Sequence, residues 1–120
     1  RCAWDGLEIE PIYQVRIVEE SGFTGRFCCL RCAEAWQARR GQPLNVFVTD
    51  EASGMELDAA QAVYIRSTVI TNAITGNRRH VFRRIEDATK HAEAAHGHRL
   101  LGAERPFAKM DANEPETPDG

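Results

Sequence analysis

Phe27-Cys28-Cys29-Leu30-Arg31-Cys32 is the stretch on which the fold turns, because the pattern before it is that of a strand and the pattern after it that of a helix. Upstream, Phe23, Gly25 and Phe27 recur at every second position, the spacing that puts side chains on one face of an extended chain. From about Cys28 onward the apolar positions change period: Leu30 or Ala33, then Trp36 and Arg40, mark one face of a helix. That helix has a clear stop, with Arg39 and Arg40 in its last turn, Gly41 as cap and Pro43 beyond. Further upstream, Tyr13, Val15 and Ile17 alternate with Gln14 and Arg16 as a first strand, and Glu19-Glu20-Ser21-Gly22 forms the hairpin turn between the two strands. Asn45 to Thr49 follows as a short buried strand.

The second half repeats this order. Asp50-Glu51-Ala52-Ser53-Gly54 turns the chain so that Met55 to Asp58 pairs back on Val46 to Thr49. Val63 to Thr71 is rich in β-branched residues and reads as a strand. Thr75-Gly76-Asn77 is a turn, and His80, Phe82 and Arg84 alternate with Val81 and Arg83 in the strand after it. Glu86 and Asp87 open a second helix with the stripe Ile85, Ala88, Ala92 and Ala95, closed by Gly97, and Arg99-Leu100-Leu101 is a last strand. The expected fold is therefore α+β: two small strand-strand-helix-strand, treble-clef-like units packed together. Residues 1–44 form the cysteine-containing unit and 45–110 the second unit. Residues 111–120, acidic and without a large apolar side chain, read as a disordered tail.

Composition narrows the function. The chain has 120 residues, 42% hydrophobic and 28% charged, as in an ordinary globular domain. A net charge of −3 argues against nucleic acid as a partner. The basic pairs Arg39-Arg40, Arg78-Arg79 and Arg83-Arg84 are interspersed with acids and read as solvated helix ends and strand faces. No apolar run approaches the ~20 residues of a membrane helix. All four cysteines fall in two fragments of the first half, Arg1-Cys2-Ala3-Trp4-Asp5-Gly6 and the Cys28-Cys29-Cys32 stretch. A fold-stabilising need would fall on both halves, whereas a site needs only one.

Cysteines in two clustered fragments point to a soft metal ion. Cys2 and Asp5 have the two-residue separation of a metal knuckle, and Gly6 permits its tight turn. Cys28 and Cys32, four apart, share a helix face, as do Cys29 and Cys32, so one of the adjacent pair binds alongside Cys32 with the other beside or behind. A helix N-terminus would lower the thiol pKa there. Cys2, Cys28, Cys32 and Asp5 would satisfy zinc; three thiolates suffice for copper(I). Disulfides, or buried cysteines acting as small hydrophobes, are the competing readings.

At these residues the chain resembles the TRASH/YHS type of treble-clef metal module, which favours Cys28 and Cys32 over Cys29 as ligands. From Val48-Thr49-Asp50-Glu51-Ala52-Ser53-Gly54-Met55-Glu56-Leu57-Asp58-Ala59 through Ala62-Val63-Tyr64 it is similar to the NosL family, copper-binding lipoproteins accessory to nitrous oxide reductase. The similarity continues in the alanine-striped helix ending at His96-Gly97 and in Arg99-Leu100-Leu101. It implies paired strand-strand-helix-strand units related to the organomercurial lyase fold. It also implies a copper(I) or zinc carrier or sensor, a metal-acceptor protein as partner, and an extracytoplasmic place of work with a membrane anchor outside this chain, a cytoplasmic sensor being the alternative. The family's early motif is cysteine, two residues, cysteine, glycine, methionine; here Asp5 stands for the second cysteine and Leu7 for the methionine. A later glycine-proline-methionine stretch has no counterpart near Asn72-Ala73-Ile74. The organomercurial-lyase relation raises an enzyme as an alternative, since that chemistry uses two cysteines and an aspartate. No cysteine-plus-base arrangement is legible in the sequence, so a non-enzymatic role is expected. A structural zinc module for protein contacts is the third reading.

The remaining chemistry-bearing residues read as structural. His80, His91, His96 and His98 are explained by a surface helix end, Trp4 and Trp36 by core packing, and Met55 and Met110 are too scattered for a site.

Overall fold

The computed structural model describes residues 1–41 and 45–108; Pro43, Met110 and the acidic tail lie outside the described residues. Four antiparallel strands form the first sheet. β1 (Val15–Val18) pairs with β2 (Thr24–Phe27) in the register Val15 opposite Phe27, and on its other edge with β3 (Asn45–Thr49), which pairs with β4 (Glu56–Asp58). Helix α1 (Leu30–Arg40) joins β2 to β3. The second sheet places β5 (Val63–Arg66) between β6 (Arg79–Phe82) and β7 (His98–Arg99), with α2 (Ile85–Ala94) joining β6 to β7.

The repeat expected from the sequence is present in the topology. In both halves the first strand is central, flanked by its hairpin partner and by the strand that follows the helix, all antiparallel, and β4 is an extra edge on the first copy. Because β3 and β4 hydrogen-bond into the first sheet, the two sheets part in the 3-10 turn Ala59–Gln61, further along than residue 45.

One core joins the halves. Val15, Ile17, Phe27, Leu30, Ala33, Val46 and Val48 pack in the same cluster as Tyr64, Val81 and Leu100, and Glu51 N–H donates to Val81 O across the seam at 3.0 Å. Burying each large aliphatic side chain contributes about 1.5–3 kcal/mol, and this is what holds the units together. Trp36 belongs to this structure rather than to a site. Its ring stacks on Phe23 with centroids 5.3 Å apart, and its Nε1 donates to Glu19 Oε2 at 2.9 Å.

Several sequence expectations need correction. The strand expected over Val63–Thr71 stops at Arg66. Beyond it the backbone donors are diverted: Ser67 Oγ takes Val69 N–H at 3.2 Å and Ala95 O takes Thr68 N–H at 3.1 Å, leaving Val69 and Ile70 exposed. In α2 Ala88 is buried and Ala92 half-buried, with Ala95 buried at the C-cap, while Ile85, at the first helical position, is exposed. The left-handed residue that ends α2 is His96 (φ 53°), not Gly97. Gly97 serves close approach instead, since a Cβ there would lie 2.8 Å from Ile65 Cγ2 and 2.9 Å from Arg66 O. α1 begins at Leu30, two residues after Cys28.

Candidate metal centre

The N-terminal fragment is a pinned turn. Cys2 N–H donates to Leu7 O at 2.7 Å, Gly6 N–H to Cys2 O at 2.9 Å, and Leu7 N–H to Asp5 Oδ1 at 3.0 Å. Gly6 sits at φ 76°, a backbone that a side chain would strain. Ala3 N–H donates to Arg26 O at 2.8 Å, which fastens this turn to β2 and so to the residues leading into α1.

That tether brings four donors together. One ligand atom each from Cys2, Asp5, Cys28 and Cys32 all lie within 4.8 Å of one another. Cys28 Sγ and Cys32 Sγ are 3.5 Å apart, and Asp5 Oδ2 lies 3.2 Å from Cys32 Sγ and 3.6 Å from Cys28 Sγ. A zinc–sulfur bond of about 2.3 Å requires sulfurs about 3.8 Å apart on a tetrahedron, so small adjustments would seat an ion. The three cysteines are buried, while Asp5 is exposed and forms the solvent side of the cluster.

Cys29 is outside the four-atom cluster. Its Sγ lies 3.5 Å from Thr75 Oγ1 and 3.9 Å from Cys28 Sγ. Cys28 and Cys29 do not share a helix face with Cys32 as the sequence suggested, because both precede the first turn of α1. Cys29 is the N-cap of α1 with extended backbone (φ −166°, ψ 172°), and its sulfur, 3.9 Å from that of Cys28, lies beside Thr75 and outside the four-atom cluster.

The protonation of the thiols also departs from expectation. Burial pushes Cys28 well above the ordinary thiol range, with the neighbouring Cys29 adding to it. Burial does the same to Cys32, and the hydrogen bond to Asp5 favours its protonated form further. The helix N-terminus is overruled because ionising one of several enclosed thiols beside a carboxylate gathers like charge in a poorly solvated place. For Asp5, burial acts upward, but hydrogen bonds from Leu7 N–H and from the thiols of Cys32, Cys2 and Cys28 outweigh it and hold the carboxyl below its usual range. Without a cation the centre is thus a carboxylate receiving thiol protons.

Two residues from the second half complete it, and the sequence reading missed both. Asn72 Nδ2 donates to Cys28 Sγ at 3.3 Å. Its Oδ1 accepts Ile74 N–H at 2.8 Å and Thr75 N–H at 3.2 Å, which fixes the amide with its donor end toward the sulfur. Thr75, from the same turn, touches Cys29. An asparagine ahead of a Thr-Gly turn signals a side chain folded onto its own backbone; nothing local reveals that the loop reaches a cysteine 44 positions earlier. Trp4, 41% exposed with the Arg39 guanidinium 5.9 Å from its ring, lies on the surface and not in the core where the sequence reading put it.

No protein-family model matches the chain, and no curated protein matches it by sequence. Among solved structures, a crystal structure of the copper chaperone NosL from Shewanella denitrificans superposes with a TM-score of 0.74 over 90% of both chains, at 18% identity. The chain has the NosL fold. The paired units implied by the sequence resemblance are therefore present. On this NosL fold the knuckle carries Asp5 where the resemblance places a cysteine, and the Asn72 loop reaches over the thiols where the family's methionine stretch has no counterpart.

Proposed function

We propose that the chain is a metal carrier that holds one soft cation, copper(I) or zinc, on the thiolates of Cys2, Cys28 and Cys32, with Asp5 as a fourth donor. The observation that carries this reading is the convergence of four donor atoms from two distant segments within 4.8 Å. The fold shared with a copper chaperone supports it. Zinc would take all four donors; copper(I) would take the three sulfurs and leave the carboxylate free. Because burial keeps Cys28 and Cys32 protonated, loading releases protons and apparent affinity rises with pH. The exposed Asp5 edge is where a thiolate of an acceptor protein would enter for transfer. We place this transfer on the extracytoplasmic side, with an anchor outside this chain; fractionation of cells carrying the native protein tests that.

Titration of the reduced apoprotein with cobalt(II) or copper(I) should reach a single equivalence point at one ion per chain, with thiolate-to-cobalt charge-transfer absorption. Two equivalents of equal affinity would overturn the single site. X-ray absorption at the bound metal then separates three sulfur neighbours from three sulfurs and one oxygen.

The contact of Asp5 with the Cys32 and Cys28 thiols favours a second reading, a cysteine enzyme related to organomercurial lyase. There the thiols of Cys28 and Cys32 would bind mercury through sulfur, giving a proton to the Asp5 carboxylate, which would pass it to the departing carbon as the mercury–carbon bond breaks. Release of benzene from phenylmercury by the reduced protein, lost in Asp5→Asn, would establish that reading over the carrier.

A further inference from the structure

Away from the cysteines, four guanidiniums converge on one cavity of about 340 Å³, lined by Arg31 of α1, Arg66 of β5, and Arg78 and Arg79 at the start of β6, together with His98 of β7. We infer that this cavity is a binding site for a small, multiply charged oxyanion of the phosphate or polycarboxylate type.

The sheet register makes the case. Arg66 stands directly opposite Arg79 on one side and directly opposite His98 on the other, so one row across three strands carries three nitrogen-rich side chains on one face. Like charges directly opposite in a sheet destabilise it. A chain with 18 acidic residues and a net charge of −3 has ample means to neutralise that row. It does so at one position only. Arg79 is bridged to Glu34 at 2.6 Å. Arg31, Arg66 and Arg78 carry no ion pair or side-chain hydrogen bond among the described residues, and Glu104 is the one acid among the residues lining the cavity. Elsewhere, Arg16 holds Glu56 with both Nε and Nη2, and Arg40 holds Glu19. The sequence pair Arg78-Arg79 is therefore part of a three-dimensional cluster rather than a solvated strand end.

Guanidinium forks suit planar or tetrahedral oxyanions, which they bind through paired charge-assisted hydrogen bonds. His98 adds an N–H donor in either protonation state. The concave shape and the separate origins of the five groups on α1, β5, β6 and β7 favour a compact anion that touches several at once. The cavity also shares the loop around Gly76 and Asn77 with the metal centre, whose Asn72 and Thr75 lie in the same turn.

The test is a thermal and calorimetric titration of the reduced full chain with inorganic phosphate, pyrophosphate and citrate, at ionic strength held constant with chloride. A saturable rise in Tm for one or more of these is expected, weakened about tenfold in Arg66→Gln and in Arg78→Gln, and unchanged in Arg83→Gln, which lies outside the cavity. Preference for pyrophosphate or for citrate separates the two chemical sources. Free of ligand, Arg66→Gln should melt no lower than the parent, because it removes a repulsive cross-strand pair; an arginine with a purely structural role would lower the melt. No saturable response, an equal loss in Arg83→Gln, or binding of an acidic hexapeptide with none of the small anions would overturn the assignment.

Discussion

Cys28 and Cys29 are adjacent in sequence and differ in use, because the Cys28 sulfur meets Asp5 and the Cys29 sulfur meets Thr75. Cys2→Ser, Cys28→Ser and Cys32→Ser should each lose most of the metal affinity, and Cys29→Ser little, measured by competition with a chromophoric chelator. If Cys29→Ser proved the most damaging, the assignment would fail. Asn72→Ala removes the N–H donor held against Cys28 and should weaken binding about tenfold without unfolding the chain. His80 corrects the surface reading of the histidines. It is buried, with Nδ1 3.0 Å from Glu51 and Nε2 2.9 Å from Val69 O, so both ring nitrogens face acceptors and the imidazolium satisfies both. Burial alone would lower its pKa, but the Glu51 carboxylate outweighs it and the net shift is upward from 6.5. The sign follows: the pair's stability is complete below about pH 6.5 and is lost as pH rises through the raised native value. The ring of His91, 4.3 Å away, is lowered by burial and by His80, and it acts oppositely, at more acid pH. Urea midpoints of parent and Glu51→Gln should therefore converge as pH rises above 7; a gap that widens instead would refute the pairing.

At the scale of elements, the end of α2 is where local signal and packing part company. A glycine beyond a helix usually supplies the left-handed turn, yet here His96 adopts it (φ 53°) and Gly97 lies against Ile65, Arg66 and Ser67. Gly97→Ala should cost about 2 kcal/mol, because two of the three nearest atoms belong to the backbone or to a Cβ of β5 and its extension and have little room to yield. His96→Gly should be neutral or stabilising by up to about 1 kcal/mol, as it relieves a left-handed side chain. Chemical denaturation of both variants reads this directly, and a Gly97→Ala protein as stable as the parent would show that α2 can shift on its sheet.

For the whole molecule, the consequence of two units sharing one core is independence from the metal. Tyr64, Val81 and Leu100 pack with Val15, Ile17 and Phe27 whether or not an ion is held, and the smaller cluster of Val63, Ile65, Phe82 and Ala88 contains no cysteine. The reduced, chelator-treated chain should melt cooperatively, and a bound ion should raise Tm in proportion to the logarithm of its excess over Kd. Loss of circular dichroism on stripping would make the chain a structural metal module and exclude the carrier reading.

Local pattern by itself determined the strands at Val15 and Thr24, both helices, the duplicated order of elements, and the concentration of cysteines at a knuckle and a helix start. Each of these is written in side-chain period or spacing along a few neighbouring residues. Tertiary structure alone decided which cysteine faces the carboxylate, that an asparagine from the other half donates to Cys28, that His80 is buried and paired, and that Arg66, Arg79 and His98 form one row. These depend on contacts between residues tens of positions apart, and on burial that overrides the intrinsic tendency of a helix N-terminus to ionise a thiol. Neither quantity has a local signature, because both are set by what the rest of the chain excludes from water.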